Sequence, residues 1–229
     1  MMSFQPFGDT ALLINFEQRI DPEVNKQVIQ WHQAITAAQL PGVTYCSAAY
    51  CSLTIGYQLD TINYQDLCSA IKALDVDQTL KNQSKSIQVP VCYEREFAPD
   101  MNELSQQTGL TGEEIVTLHT AQTYHVYMIG FLPGFAYMGK IDDKLECKRK
   151  ETPRIKVPAG SVGLAGMQTG IYPSDAPGGW QIIGQTPWEI FNPNSQSPCR
   201  FQPGDQVTFY SVTESEFLQL KNDSVFEQV

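Results

Sequence analysis

The distribution of glycine and proline is the feature that most constrains the fold of this chain. Residues 130–193 hold 10 of the 16 glycines and 7 of the 14 prolines in a chain of 229 residues. Such a density interrupts helices and favours short strands joined by tight turns. The second half of the chain is therefore predicted to form a compact β-barrel.

The first half has a different pattern, in which apolar strands alternate with helices. Residues 10–16 form a short apolar run, and Asp21-Pro22 before an apolar stripe is typical of a helix start. Two strands, a second helix and a last strand at residues 87–93 complete the order βαββαβ. This order predicts a ferredoxin-like α/β sandwich.

The predicted fold class is therefore α+β, with a ferredoxin-like domain at residues 1–88 and a barrel domain at 89–229. The polar residues 75–86 are the predicted linker. Residues 100–103 and 111–114 each match the pattern of a capping box at a helix start. Residues 188–191 and 206–210 are predicted to be late strands of the barrel.

Charge and composition exclude several classes of function. The chain has 15 Lys plus Arg against 25 Asp plus Glu, so the chain as a whole lacks the net positive charge that attracts nucleic acid. No apolar run approaches the roughly 20 residues of a membrane span, and the first residues do not resemble a secretory signal. The six cysteines lack metal-ligand spacing. We expect a cytoplasmic protein with free thiols, no metal site, no nucleic-acid partner and no membrane contact.

An aromatic loop in the glycine-rich half is the first candidate for a binding site. Phe131, Pro133, Gly134 and Phe135 form a Pro-Gly turn between rings. Such rings either make a wall for a flat ligand or fill the barrel core. The same region resembles a phosphate loop, but Ile141 replaces the required Ser or Thr, which argues against one.

A local reversal of charge follows this loop. Residues 140–156 carry seven basic and four acidic side chains. Most of this run is typical of solvated surface, but Arg154 lies on a proline-rich, stiff segment that suits bidentate binding of an anion. Gln168, Thr169 and Tyr172 add amide and hydroxyl groups among glycines, and they indicate either a ligand site or a polar barrel corner.

His119 has two interpretations. It ends a predicted helix, where an imidazolium would suit the helix dipole, or it acts as a general base near the aromatic loop. No nucleophile motif of a hydrolase triad is present.

Several ordered motifs resemble one family, the KipI/PxpB proteins, which are also called allophanate hydrolase subunit 1. The resemblance covers almost the whole chain. Its early part is residues 7–13, and its most specific parts are residues 130–137, 152–154, 157–162, 168–173 and 177–180.

The resemblance implies an N-terminal α/β domain, a C-terminal cyclophilin-like barrel and a role as the B subunit of an ATP-dependent 5-oxoprolinase. It implies the A and C subunits of that enzyme as partners, and ATP with Mg²⁺ as reagents of the assembled enzyme, none of them demonstrably bound by this chain. As catalytic groups we consider Arg154, His119 and Gln168. The candidate contacts of the small lactam substrate are Phe131, Pro133, Gly134, Phe135, Pro158, Ser161, Thr169, Tyr172, Gly178, Gly179 and Trp180.

Arg154 is assigned to the phosphate, Gln168 with Thr169 to the substrate carboxylate, and Phe131 with Phe135 to a wall that excludes water. The alternative function is a KipI-like inhibitor that binds a sensor histidine kinase. A stand-alone amidohydrolase that acts on allophanate is a weaker alternative.

Overall fold

A computed structural model describes residues 2–76 and 84–226, which divide into two compact units, 1–83 and 84–229. The second unit begins before residue 89, because a strand that starts at Ser86 belongs to its barrel. Most of the predicted linker, residues 77–83, lies outside the described residues. No helix in the described ranges has the length and apolar character needed to cross a membrane.

The first unit is a four-stranded antiparallel sheet with two helices. Its elements are β1 (Ser3–Pro6), β2 (Ala11–Asn15), α1 (Pro22–Ala38), β3 (Val43–Ala48), β4 (Ser52–Tyr57) and α2 (Tyr64–Lys72). The strand order is β1-β2-β4-β3. Asp21 caps α1 by accepting hydrogen bonds from the backbone N–H groups of Glu23 and Val24, as its position before Pro22 predicts.

One face of this sheet carries the core of the first unit. Leu12 and Ile14 on β2, and Leu53 and Ile55 on β4, alternate toward the same side and are fully buried. Apolar residues of both helices pack in this same cluster, among them Val28, Ile35, Leu67 and Ile71. The unit is thus a two-layer α/β sandwich.

The predicted order βαββαβ is wrong, and a ferredoxin-like fold is not confirmed. The observed order is ββαββα, because the strand expected at residues 87–93 lies in the barrel and β1 occupies the sheet edge instead. The short β1 has mostly exposed residues and ends in Pro6, so no hydrophobic alternation marks it.

The second unit is built on a closed barrel of seven strands in the order β10-β7-β6-β13-β5-β12-β9. A separate two-stranded sheet pairs β8 with β11. The elements are β5 (Ser86–Cys92), α3 (Met101–Thr108), α4 (Gly112–Thr120), β6 (Thr123–Ile129), β7 (Ala136–Gly139), β8 (Arg154–Val157), β9 (Ser161–Ala165), β10 (Gln168–Ile171), β11 (Ala176–Gly178), β12 (Gln181–Gln185), β13 (Gln206–Val212) and α5 (Glu214–Phe226). The closed barrel agrees with the prediction for this half and is consistent with a cyclophilin-like fold.

One local prediction differs from the structure, and the argument against a phosphate loop agrees with it. Residues 188–191 form no strand and contribute only an isolated bridge between Phe191 and Cys199. The segment that resembles a phosphate loop contains the barrel strand β7, so its backbone is extended instead of curled around an anion.

Alternation along the strands divides inner from outer residues. Met138 on β7, Leu164 on β9 and Ile171 on β10 belong to the main barrel core. Their neighbours along each strand therefore face outward. On this outer surface a second apolar cluster forms, and it contains the aromatic residues of the glycine-rich segment.

Candidate functional site

Two glycines flatten the outer surface of the barrel so that aromatic rings can lie directly on the backbone. Gly170 and Gly163 are partners in the pairing of β10 with β9. A Cβ on Gly170 would lie 2.9 Å from the Ala136 carbonyl oxygen and 3.1 Å from the Phe135 ring. A Cβ on Gly163 would lie 3.0 Å from Cβ of Trp180. Glycine is therefore required for this close approach.

We call the rings on this surface the aromatic platform, which comprises Phe131, Phe135, Tyr137, Tyr172 and Trp180. Phe135 is its centre: its ring centroid lies 4.8 Å from that of Tyr137, 5.2 Å from that of Tyr172 and 5.4 Å from that of Trp180. The interplanar angles are 58°, 86° and 83°. The last two are edge-to-face contacts, which fix ring positions. The rings therefore fill a cluster outside the barrel, not its core.

The loop that leads into this platform exposes one of its rings. Phe131 is 61% exposed and has a φ of 68°, a left-handed conformation that costs energy for a residue with a side chain. Gly134 has a φ of 85° and lies against Phe191, so that position also requires glycine. Pro133 is exposed between them. Strain and an exposed ring together are typical of a binding loop.

The polar candidates on β10 point to opposite sides. Gln168 shares the outer face with Gly170, and is half-buried at the end of the strand. Thr169 points into the barrel and is fully buried. The structure therefore separates these two side chains, which were predicted to bind one carboxylate together.

The other predicted contacts support the platform. Tyr172 is buried, and its phenol lies so close to Gly178 that a side chain there would collide with it. The carbonyl of Gly179 accepts a hydrogen bond from the Lys150 backbone N–H at 2.8 Å. Pro158 and Ser161 belong to the turn between β8 and β9, where Ser161 is buried. These residues shape the loops around the rings.

His119 lies inside the barrel and is fully buried. Thr169 donates its hydroxyl proton to the Gly163 carbonyl, so Nε2 of His119 donates to Thr169 Oγ1 at 3.0 Å. Nδ1 then accepts from the hydroxyl of Tyr93 at 2.8 Å. Burial lowers the pKa of His119 to about 3. The expectation of an imidazolium at the helix end is wrong, and the neutral ring has no exposed atom with which to reach a ligand.

Arg154 is held by a buried carboxylate. Its two terminal nitrogens donate to the carboxylate oxygens of Asp100, one of them at 2.7 Å, and the Asp100 side chain is only 2% exposed. Lys150 and the backbone N–H of Ile182 also donate to Asp100. Burial alone would raise the pKa of Asp100, but the hydrogen bonds from Arg154, Ile182 and Lys150 outweigh it and lower the pKa.

Asp100 and Arg149 were not among the predicted site residues. Asp100 matched a helix cap, but it makes no capping hydrogen bond. Arg149 stood within a basic run typical of solvated surface, and no local signal separates it from Lys148. In the structure its guanidinium lies 5.9 Å from the ring centroid of Trp180, and it lines an open groove of about 950 Å³.

The chemistry of the described residues bears on whether this chain could hold a metal ion or the phosphates of a nucleotide. Within residues 2–76 and 84–226, no group of three or more His, Cys, Asp or Glu side chains is arranged to hold a metal ion. The glycine-lysine motif near β7 is part of a strand and offers no phosphate cradle. These residues therefore do not fit an ATP·Mg²⁺ site of the phosphate-loop type.

Fold and site together define a class of protein in which an α/β sandwich precedes a seven-stranded barrel with an aromatic outer face. The family model described as "Carboxyltransferase domain, subdomain C and D" matches residues 2–201. The chain belongs to this carboxyltransferase-domain family.

Two curated bacterial relatives carry a more particular name, the B subunit of 5-oxoprolinase. The chain is 36% identical to the protein of that name from Bacillus subtilis (strain 168), over 96% of this chain and 97% of the relative. It is 34% identical to the protein of that name from Escherichia coli O157:H7, over 90% and 94% of the two chains.

A solved structure extends the likeness to the fold. The crystal structure of TTHA0988 is 30% identical and superposes with a TM-score of 0.80 over 89% of this chain. The match spans only 40% of that longer chain. The region similar to this protein is therefore part of a larger polypeptide there.

Proposed function

We propose that this protein is the B subunit of a multisubunit 5-oxoprolinase, an ATP-dependent enzyme that opens 5-oxo-L-proline to L-glutamate. The observation that carries the proposal is the nearly end-to-end similarity to two bacterial proteins of that name. A location in the cytoplasm belongs to the same proposal.

The partners are the A and C subunits of the same enzyme. The match to TTHA0988, which occupies 40% of that chain, supports a requirement for further polypeptide. This chain is then a non-autonomous part of the hydrolase.

The chemistry explains the need for ATP. A lactam resists attack by water, because its carbonyl is stabilised as an amide. Transfer of the terminal phosphoryl group of ATP to the lactam oxygen makes the carbon more electrophilic. One water adds to that carbon, and the ring C–N bond breaks as the nitrogen leaves with a proton. A second water then hydrolyses the resulting acyl phosphate to glutamate and inorganic phosphate. Within this scheme the aromatic platform is the wall that limits access of bulk water, and Gln168 is a polar contact on the same outer face.

Reconstitution tests the proposal. Glutamate release from 5-oxo-L-proline, ATP and Mg²⁺ is measured with this chain alone, with the A and C subunits alone, and with all three proteins. We expect turnover only in the complete mixture. If a complete mixture of folded subunits gives no turnover, the proposal is wrong, and binding to a histidine kinase becomes the function to test.

A further inference from the structure

Three basic side chains of the segment 140–156, Lys144, Lys148 and Arg149, form no ion pair among the described residues, and of these three only Arg149 lies over an aromatic ring. The other four basic side chains of the segment pair with carboxylates: Lys140 with Asp143, Lys150 with Asp100 and Glu103, Arg154 with Asp100, and Lys156 with Asp175. Within the ranges that the structure describes, no carboxylate forms an ion pair with Arg149. Its charge is therefore available to a ligand.

Arg149 is nevertheless held in a defined place. Its guanidinium lies over Trp180, and a cation above an indole ring is attracted by the negative face of that ring. Burial raises the pKa of Tyr137 and of Tyr172, and the charge of Arg149 opposes both rises. The guanidinium is thus close to two phenols of the aromatic platform as well as to the indole.

This position joins two features of the surface. Arg149 lines the open groove of about 950 Å³, whose other walls include Gln107 on α3 and the turn at Gly166. The groove also contains Glu103, Glu146 and Glu151, but Glu103 is already paired with Lys150. Arg149 is therefore both a wall of the groove and the cationic edge of the platform.

The chemistry of this edge specifies a ligand class. A guanidinium presents two parallel N–H donors, which match the two oxygens of a carboxylate. Phe135, Tyr172 and Trp180 are buried, so the accessible flat surface of the platform comes from the exposed ring of Phe131 and the half-buried ring of Tyr137. A small cyclic carboxylate satisfies both requirements at once.

We propose that Arg149 binds the carboxylate of the substrate, and that the accessible rings of the aromatic platform, Phe131 and Tyr137, contact the substrate ring. The identity of the ligand as 5-oxo-L-proline rests on the proposed function. Arg154 is then a positioning residue, which holds the segment 146–154 against Asp100 instead of binding an anion itself.

Kinetics of the reconstituted enzyme test this role with Arg149→Ala, Arg149→Lys and Lys144→Ala. Lys144 is the matched control, because it is an exposed cation of the same segment outside the groove. Loss of a charged hydrogen bond predicts a KM for 5-oxo-L-proline that is about ten- to a hundredfold higher in Arg149→Ala. We expect a smaller change in kcat, partial recovery in Arg149→Lys, and a KM within about twofold of wild type in Lys144→Ala.

A neutral competitor separates binding from structural damage. The inhibition constant of 2-pyrrolidinone, which has the ring but no carboxylate, should be unchanged by Arg149→Ala. A rise in that constant equal to the rise in KM would mean that the platform itself is disturbed, and would overturn the carboxylate assignment. An unchanged KM in Arg149→Ala would also overturn the carboxylate assignment, but it would leave the proposed function as a 5-oxoprolinase subunit unaffected.

A binding measurement keeps the two proposals distinguishable if no turnover is found. Isothermal titration of the full chain, with and without the C subunit, uses 5-oxo-L-proline and inorganic phosphate as probes. Binding of 5-oxo-L-proline that Arg149→Ala abolishes supports the carboxylate site even when the proposed function fails. Absence of such binding, or binding of phosphate alone, overturns the inference.

Discussion

Asp100 and Arg154 connect segments that lie 54 residues apart, and their pairing is buried on the carboxylate side. Removal of Arg154 leaves the buried carboxylate with Lys150 as its remaining cationic partner, and removal of Asp100 leaves Arg154 without its carboxylate. We therefore expect Arg154→Ala to lose stability as well as activity. A role in anion binding alone would remove activity and leave stability unchanged.

We predict that Asp100→Asn lowers the free energy of unfolding by about 3 kcal/mol, because the half-buried Arg154 loses its counter-charge and a buried amide cannot accept the four hydrogen bonds that the carboxylate accepts. Urea denaturation followed by circular dichroism at pH 7 measures the difference. Asp143→Asn is the control, since the pair with Lys140 is exposed and should contribute nothing measurable. Equal midpoints for wild type and Asp100→Asn would contradict the structural role of this pair.

Phe131 combines an exposed ring with a strained backbone. We predict that Phe131→Gly keeps or raises stability, by up to about 1 kcal/mol, because glycine adopts positive φ without a steric penalty. The same change should raise the KM of the reconstituted enzyme through loss of the ring.

Phe131→Ala is the matched variant for that experiment, since it removes the ring and retains the Cβ that causes the strain. A KM that rises in both variants, with stability gained in the glycine variant alone, is the expected pattern. Lower stability in Phe131→Gly than in Phe131→Ala would refute the argument from strain.

At the level of elements, the outer glycines of β9 and β10 determine whether the aromatic platform can form. We predict that Gly170→Ala destabilises the protein by about 1–3 kcal/mol, because the new methyl group would press on the Ala136 carbonyl and the Phe135 ring. Displacement of the rings should also shift the tryptophan fluorescence, since Trp180 packs on Phe135.

Gly112→Ala provides the comparison, because Gly112 begins α4 and a Cβ there meets only Met101 at 3.4 Å. That change is expected to be neutral or slightly stabilising, since alanine favours the helix. If the two substitutions have the same effect on stability and fluorescence, the platform does not depend on the glycine at 170.

Local patterns predicted those elements whose signals are complete within a few residues. The capping box of Thr111 and Glu114 is present as predicted, and Asp21 caps α1. The similar pattern at Asp100 failed, because its partners lie far along the chain and compete for the same carboxylate. The turn signals around residues 130–193 likewise predicted a barrel, but not which rings would lie outside it.

Strand partners were the least predictable part of the fold. Residues 86–92 have the composition of an ordinary strand, and it is their pairing with β13 and β12 that assigns them to the barrel. The candidate site shows the same limit: Gln168 and Thr169 are adjacent in sequence and separated by the sheet. Which distant segments pair depends on how the apolar residues of the whole chain pack together, and a short stretch of sequence does not contain that information.

For the whole molecule, the buried histidine predicts a dependence of stability on pH. The pKa of His119 is lowered from 6.5 to about 3 in the folded chain, so below pH 6.5 the unfolded chain binds a proton that the folded chain does not. This contribution to stability is therefore complete above pH 6.5 and is lost progressively toward pH 3.

The low pKa of Asp100 acts in the same direction at lower pH, since its stabilisation is lost as pH falls through the folded pKa. Measurements between pH 7.5 and 5.5 separate the contribution of His119 from that of Asp100. Over that interval His119 alone should lower the free energy of unfolding by about 1.4 kcal/mol.

His119→Gln is the informative variant, because an amide can accept from Tyr93 and donate to Thr169 without titrating. Urea midpoints at pH 7.5 and 5.5 should therefore differ less in this variant than in wild type, by the amount assigned to His119. In wild type, ¹⁵N chemical shifts of the ring at pH 5.5 should report a neutral imidazole protonated at Nε2. An imidazolium signal at that pH, or the same pH dependence in both proteins, would show that His119 is not enclosed in the barrel as the structure describes.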